Sequence, residues 1–272
     1  MKILSDYHMH SSFSGDSDCP MEKMINSAIN LGLNDICFTE HMDMDYEIRE
    51  DLPKDFFLLD TDRYMEKIIE LKDKYKDKIS VKFGVEIGMQ KHLSDKNSEY
   101  INSYPFDFVI ASTHLIDKKD PYYKDFYEGK SAEDVIRKYF EQTYQNLMLF
   151  DDFDVLGHLD YIVRYIPFDF EYEPSKYMDI IDEILKIIIK KGRGLDINTK
   201  ALTNDNNSIT NPCKDILVRY KELGGKIITF GSDAHSSEKI ANHFDIAKNI
   251  AIESGFNEYC TYQKREPAFH KF

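Results

Sequence analysis

Short apolar runs alternate with amphipathic segments about seven times along this chain, and each run ends in a histidine, a carboxylate or an asparagine. Residues 1–4 lead into Asp6-Tyr7-His8-Met9-His10. Residues 35–39 end in Glu40-His41, residues 79–85 in Glu86, and residues 107–113 in His114. Residues 154–157 end in His158, residues 194–197 in Asn198, and residues 226–230 in Gly231-Ser232-Asp233-Ala234-His235. The alternation demands parallel strands covered by helices. With 272 residues and no linker or repeat, it predicts one α/β domain over 1–272, a closed or nearly closed barrel, with a peripheral tail from about 258.

Helix signals punctuate the runs. Pro20 and Gly32 bracket a helix over 20–31, with Met21, Met24, Ile25, Ala28 and Ile29 on one face. Thr61 is the expected cap of a helix to about 76, and Ser131 of one to about 149. Pro174 opens a helix to 191, Asn211-Pro212 opens one closing at Gly224-Gly225, and Ser237 starts the last, stopped by Gly255. Residues 43–60 read as a surface excursion, 117–130 as an exposed polar, Tyr-rich loop with a lid over 120–127 as the alternative, and the stretch between Asn198 and Asn211 as an Asn-rich loop.

The strand ends carry the chemistry. Residues i and i+2 of a strand share a side, so His8 and His10 point together, with Asp16 in the loop beyond. Six of the nine histidines fall at strand ends, which a parallel barrel gathers on one face. Neutral imidazoles and carboxylates suit Zn, Mn or Fe. So many candidates exceed one ion's needs. They imply two or three divalent ions, with Glu86 bridging a pair, an arrangement suited to hydrolysing a phosphate ester.

The net charge of −14 argues against a nucleic-acid polymer or an anionic membrane as partner. A small phosphorylated substrate remains compatible, because bound cations reverse the sign locally. Four scattered cysteines without a Cys-x-x-Cys suit a reducing compartment, and no apolar run reaches membrane-spanning length, so a cytoplasmic protein is expected.

The segments Asp6-Tyr7-His8-Met9-His10, Thr39-Glu40-His41, Gly84-Val85-Glu86, Ser112-Thr113-His114, Gly157-His158-Leu159-Asp160 and Gly231-Ser232-Asp233-Ala234-His235 resemble those of the PHP (polymerase and histidinol phosphatase) superfamily. Thr39-Glu40-His41-Met42-Asp43, Arg164 after Gly157-His158-Leu159-Asp160, and Leu195-Asp196-Ile197-Asn198-Thr199-Lys200 are similar to its histidinol-phosphate phosphatases. The resemblance implies a distorted (β/α)7 barrel with a trinuclear metal site at the C-terminal ends of the strands. His8, His10, Glu86 and Asp233 would hold one ion, Glu86, His114 and His158 a second, and Asp16, His41 and His235 a third. Glu86, Asp233 and His235 would serve catalysis, and Arg164 and Lys200 would bind substrate. A hydroxide between two ions would attack phosphorus, and either water or a protonated side chain near the third metal would protonate the leaving alkoxide.

The implied reaction is hydrolysis of L-histidinol phosphate in histidine biosynthesis. The alternatives are a PHP-type nuclease or nucleotide phosphatase, or a non-catalytic binding module. One departure concerns the substrate: Thr203 stands where these phosphatases tend to carry an arginine. Glu40, Asp6 and Asp160 are candidates for holding ligating imidazoles, Asn198 for orienting a loop, and His92, His243 and His270 carry no expected role.

Overall fold

The computed structural model describes residues 2–203 and 209–272. Seven strands pair in chain order, every pair parallel. They are β1 (Ser5–Asp6), β2 (Asp35–Met42), β3 (Ser80–Gly88), β4 (Phe108–Ser112), β5 (Val155–Leu156), β6 (Gly194–Asn198) and β7 (Ile228–Gly231). The last returns to the first. Tyr7 N–H donates to Phe230 C=O (2.9 Å), Asp233 N–H to His8 C=O (2.7 Å) and His10 N–H to Ala234 C=O (2.9 Å). The sheet thereby comes round to a nearly closed barrel.

Helices α1 (Met21–Asn30), α2 (Thr61–Tyr75), α3 (Ser94–Ser103), α4 (Ala132–Leu147), α5 (Met178–Lys190), α6 (Lys214–Glu222) and α7 (Phe244–Glu253) cover the outside. Their apolar stripes build the larger core; α1 buries Met21, Met24, Ile25 and Ala28. A second cluster, with Tyr7, Cys37, Phe108, Ile110 and Val155, fills the barrel interior. All four cysteines are buried and free. Among the described residues no helix is long and apolar enough to cross a membrane.

Four expectations change. The helix α3 was not anticipated, because only Asn97 and Ile101 in it are buried, too few to show a helical stripe. Asp60 rather than Thr61 caps α2, its carboxylate accepting from Arg63 N–H, while Thr61 Oγ1 meets the Tyr100 hydroxyl at 2.7 Å. The final helix begins at Phe244 rather than Ser237, because Ala241 and His243 adopt left-handed φ of 51° and 58°.

The fourth change is the tail. Residues beyond 257 form an antiparallel hairpin, β8 (Glu258–Gln263) and β9 (Glu266–Lys271). Tyr259, Cys260 and Tyr262 are buried, and Tyr262 joins the interior cluster where the barrel strands begin. The Tyr7 hydroxyl oxygen, whose proton goes to Asp35, lies 3.0 Å from the Tyr262 carbonyl oxygen, and His270 Nε2 lies 2.8 Å from Thr261 Oγ1. The hairpin plugs the barrel floor. Its turn, Lys264-Arg265, takes φ of 52° and 67° without glycine or asparagine, so the usual sequence signal is missing. Of the Asn-rich loop expected between Asn198 and Asn211, residues 204–208 lie outside the described residues.

Candidate metal centre

Met9 forms a parallel bridge with Ala234 and is buried in the outer core. Alternation therefore turns both neighbours, His8 and His10, inward at the barrel mouth, fully buried. Glu86 arrives on β3 and His41 on β2, while His114, His158, Asp233 and His235 follow the ends of β4, β5 and β7. Close backbone approach makes room for them. A Cβ on Gly157 would collide with Ser112 Oγ, whose hydroxyl donates to Glu86 (2.6 Å), and one on Gly231 would collide with His8. Asp233 itself holds a left-handed φ of 52°, which Asp tolerates better than most residues.

Glu86 stands at the centre. Its Oε2 lies 3.2 Å from His8 Nε2, 3.2 Å from His41 Nδ1 and 3.5 Å from His10 Nε2. Its Oε1 lies 2.9 Å from His158 Nε2 and 3.2 Å from His114 Nε2. Asp233 Oδ1 is 3.5 Å from His10 Nε2, and Asp16 Oδ2 is 2.9 Å from His235 Nε2 and 3.6 Å from His41 Nε2. All nine candidate ligands thus converge on one mouth.

Short distances here do not mean satisfied atoms. His8 Nε2, His10 Nε2, His41 Nδ1 and Glu86 Oε2 are buried yet have no well-directed hydrogen bond. Orphaned buried polar atoms are costly. Their donor atoms also gather into ligand-sized groups, among them His8 with His10 and Asp233, and His10 with His41 and His235. A cation shared among them resolves both facts, and nitrogen and carboxylate donors suit Zn, Mn or Fe.

Electrostatics agree. Burial alone would raise the Glu86 carboxyl, but His8, His114 and His41 hold it well below the usual range. Burial likewise opposes Asp233, and Lys200, His8, His235 and Arg164 outweigh it. Burial, with His41 and His235 nearby, pushes His10 well down, and burial takes His158 to about 3. Burial works against a charged His8, yet Glu86, Asp233 and Asp196 push it well up; Asp43 and Glu86 do the same for His114. These two imidazoles borrow protons where a metal cation would supply the charge.

Two carboxylates the sequence reading passed over hold these rings. Asp196 meets His8 Nδ1 at 2.9 Å, and Asp43 meets His114 Nδ1 at 2.7 Å. Both lie inside quoted motifs, where strand periodicity was the available signal. Glu40 acts one step back, accepting from Ser14 Oγ (2.6 Å), which faces His10 Nδ1 at 3.2 Å. Asp6 and Asp160 hold no imidazole. Asp6 binds Ser232 and the Ala241 N–H, and Asp160 binds Asn211 and the Cys213 N–H, so both pin loops.

Arg164 is buried and tied into the protein. Its Nε donates to Asn211 Oδ1 (2.7 Å), one terminal nitrogen donates to Asn198 Oδ1 (2.7 Å), and the other reaches Asp233 Oδ2 at 3.3 Å. Lys200 faces the site, with Nζ 3.1 Å from Asp233 Oδ1 and 3.2 Å from His235 Nδ1. Asn198 orients this corner, its side chain also donating to Asp233 Oδ2 (3.1 Å). Of the histidines without an expected role, His92 pairs with Asp45 at 2.9 Å on the surface.

Above the cluster opens a cavity of about 480 Å³, lined by Asp16, His41, Glu86, His114, Lys200 and His235 on one side and by aromatic rings on the other. Two rows of rings lead away from the histidines. One runs His158, Tyr161, Tyr165, Tyr122, with centroids 4.7, 4.8 and 5.8 Å apart. The other runs His41, Phe57, Tyr46, at 5.4 and 4.6 Å. Here two loop expectations are corrected. Residues 43–60 wall the site rather than merely crossing the surface, because Asp43, Tyr46, Phe56 and Phe57 line it. The 117–130 loop is not simply exposed: Asp120, Phe126 and Tyr127 are buried, and Asp120, Tyr122 and Tyr123 line the cavity.

Comparison with known proteins places this architecture. A histidinol-phosphatase from Lactococcus lactis subsp. lactis (strain IL1403) is 36% identical over 264 residues, covering 96% of this chain and 95% of that protein. A probable histidinol-phosphatase from Clostridium acetobutylicum is 34% identical over 250 residues, covering 92% and 93%. The crystal structure of the Lactococcus lactis histidinol phosphate phosphatase, complexed with zinc, L-histidinol and phosphate, superposes with a TM-score of 0.89 at 34% identity, over 97% of this chain and 98% of that one. The PHP domain family matches residues 6–200, which carry all the site's ligand-type residues except Asp233 and His235. With that match spanning six of the seven barrel strands, the chain belongs to the PHP domain family.

Proposed function

We propose that this protein is a hydrolase that cleaves L-histidinol phosphate to L-histidinol and inorganic phosphate with bound divalent metal ions. The observation that carries the reading is the convergence of nine ligand-type side chains around Glu86 beneath a cavity that Lys200 and Asp120 both line. The Lactococcus relative, solved with zinc, L-histidinol and phosphate, supports it at the level of substrate.

Three ions would be held by these residues: one by His8, His10, Glu86 and Asp233, one by Glu86, His114 and His158, and one by Asp16, His41 and His235. Glu86 would be the shared ligand, with Oε2 beside His8 and His41 and Oε1 beside His158 and His114. Bound divalent ions supply Lewis acidity toward water and toward the phosphate oxygens. The chain's own groups do the rest. Asp196, Asp43 and the Glu40–Ser14 pair fix the ring orientations of His8, His114 and His10. Arg164 and Asn198 orient Asp233. Lys200 brings a positive charge to the cavity, where it can meet a phosphate oxygen as a point charge.

The overall step joins the oxygen of water to phosphorus and breaks the ester P–O bond, and the departing alkoxide takes up a proton. The organic part of the substrate then lies between the aromatic rows. Asp120, 8% exposed, is the carboxylate at their outer end, complementary to an ammonium or imidazolium. The reading includes a cytoplasmic place in histidine synthesis and treats 1–272 as one PHP-type unit, hairpin included.

The test is phosphate release by metal-loaded enzyme from histidinol phosphate, p-nitrophenyl phosphate and a mononucleotide. A preference of about a hundredfold or more in kcat/KM for histidinol phosphate is expected, since losing a buried ionic contact typically costs that order. Equal turnover of all three would sink the substrate assignment, and metal-loaded protein inert toward every one would sink the phosphatase.

A further inference from the structure

The second partner of the Asp120 carboxylate comes from a distant part of the chain. Asp120 Oδ1 accepts from Tyr122 N–H (2.8 Å) within its own loop, but its other oxygen takes the hydroxyl of Tyr46. The next residue, Glu47, reaches back the same way. Its Oε2 accepts from the Asp120 N–H (2.8 Å), and its Oε1 accepts from Lys119 Nζ (2.8 Å). The Glu47 carboxylate is only 6% exposed and lies behind the cavity wall. Arg49 closes the joint: its guanidinium sits 3.4 Å from the centroid of Tyr123, 3.5 Å from Glu47 and 3.6 Å from Asp125.

Bonds inside the 117–130 loop are local, Ile116 with Lys119 and Tyr123 with Asp120, and do not set its position against the barrel. Phe126 and Tyr127 anchor the far half of the loop in the core, and Tyr122 rests on Tyr165, while Tyr46, Glu47 and Arg49 hold the part that carries Asp120. We propose that Glu47 is a positioning residue for substrate specificity, holding Asp120 across the gap between two loops so that its carboxylate meets the cationic end of the substrate. The inference rests on the functional reading above, and extends it to a residue that touches neither substrate nor the metal site. A carboxylate bonded to a backbone N–H fixes where that residue stands, while the Tyr46 hydroxyl fixes where its side chain points. The aromatic rows confine the ligand, and Glu47 decides whether a negative charge waits at their end.

The experiment compares kcat and KM of metal-loaded wild type, Glu47→Ala, Glu47→Gln, Arg49→Ala and Asp120→Asn on histidinol phosphate and on p-nitrophenyl phosphate, which carries no cation. Wild type is measured first: without a preference for histidinol phosphate, the functional reading fails and this inference with it. Given the preference, Glu47→Ala is expected to lower kcat/KM for histidinol phosphate about tenfold, mainly through KM, and to leave p-nitrophenyl phosphate within about twofold. Glu47→Gln keeps an acceptor for the Asp120 N–H and is expected to recover most of the loss. In the Asp120→Asn background, Glu47→Ala adds nothing further, because both act through one contact. An unchanged preference in Glu47→Ala, an equal fall on both substrates, or multiplicative effects with Asp120→Asn overturns the proposal. If Glu47→Ala does not fold, Arg49→Ala carries the same comparison: a selective loss supports the proposal, and an intact preference overturns it.

Discussion

The two ends of this barrel gather charge in opposite ways. At the floor each carboxylate takes donors from the chain through one oxygen at least, although Asp35 Oδ1 and Asp154 Oδ1 have no hydrogen bond. Asp107 receives Lys72 Nζ (2.7 Å) and the N–H groups of Phe83 and Lys264 (3.0 and 3.2 Å). Asp154 receives Arg265 Nε (2.5 Å) and Val109 N–H (2.8 Å), and Asp35 the Tyr7 hydroxyl (2.6 Å). At the mouth, buried imidazoles crowd one carboxylate, and several of their nitrogens lack a hydrogen bond. At one end the hairpin brings donors to the carboxylates; at the other a crowd of imidazole nitrogens is left for a cation to satisfy. The hairpin serves stability, and the ligand cluster holds unsatisfied atoms in reserve for chemistry.

The sharpest way to break this contrast is at its centre. Glu86→Gln is expected to lower kcat/KM by about a thousandfold or more and to reduce bound metal, read by elemental analysis of the purified protein. Full activity with full metal content would remove Glu86 from the site. At the floor, Tyr262→Ala deletes a ring that is 3% exposed and should cost about 3–5 kcal/mol in urea unfolding. Metal content should stay unchanged, and the loss should be equal in metal-loaded and chelated protein if the ends are independent. Unequal losses would join what the comparison separates.

Smaller changes sharpen the contrast. Asp196→Asn removes the charge behind His8 and is expected to weaken metal affinity by about 10–100-fold, measured by competition with a chelator. Unaltered affinity would leave Asp196 a packing residue. The smallest effect is expected at Lys72, whose ammonium is partly exposed. Burial alone would raise the Asp107 carboxyl, but Lys72 and backbone donors hold it below its ordinary value. That depressed group contributes stability above its unfolded pKa, and the contribution is lost as pH falls through the folded one. Lys72→Met should therefore cost about 0.5 kcal/mol at pH 7, with the difference fading in acid. A difference that persisted at low pH would assign the loss to packing of the lysine stem.

Legibility followed the range of the interaction. The strands were readable because each apolar run is short and locally bounded, and Gly32 and Gly192 at φ of 75° and 68° end helices by a purely local rule. His8 and His10 were readable as a pair because strand alternation is local too. The hairpin was not, since its turn uses Lys264 and Arg265 in conformations that sequence normally assigns to Asn and Gly. Nor was the role of the 43–60 segment, whose aromatic rings are ordinary until a loop 74 residues away meets them at Asp120.

The sequence alone determined the alternation of strands and helices, the sign of the overall charge, and which side chains stand at the strand ends. Those depend on periodicity and turn chemistry within a few residues. Only the tertiary structure decided which carboxylate steadies which imidazole, where Asp196 serves His8 across 188 positions and Asp43 serves His114 across 71. It also decided that Asp6 and Asp160 pin loops instead, and that Glu47 stands behind Asp120. Each of those is a choice among many acidic side chains of similar local character. Closing the barrel brings one of them within hydrogen-bonding distance of each partner and leaves the others out of reach.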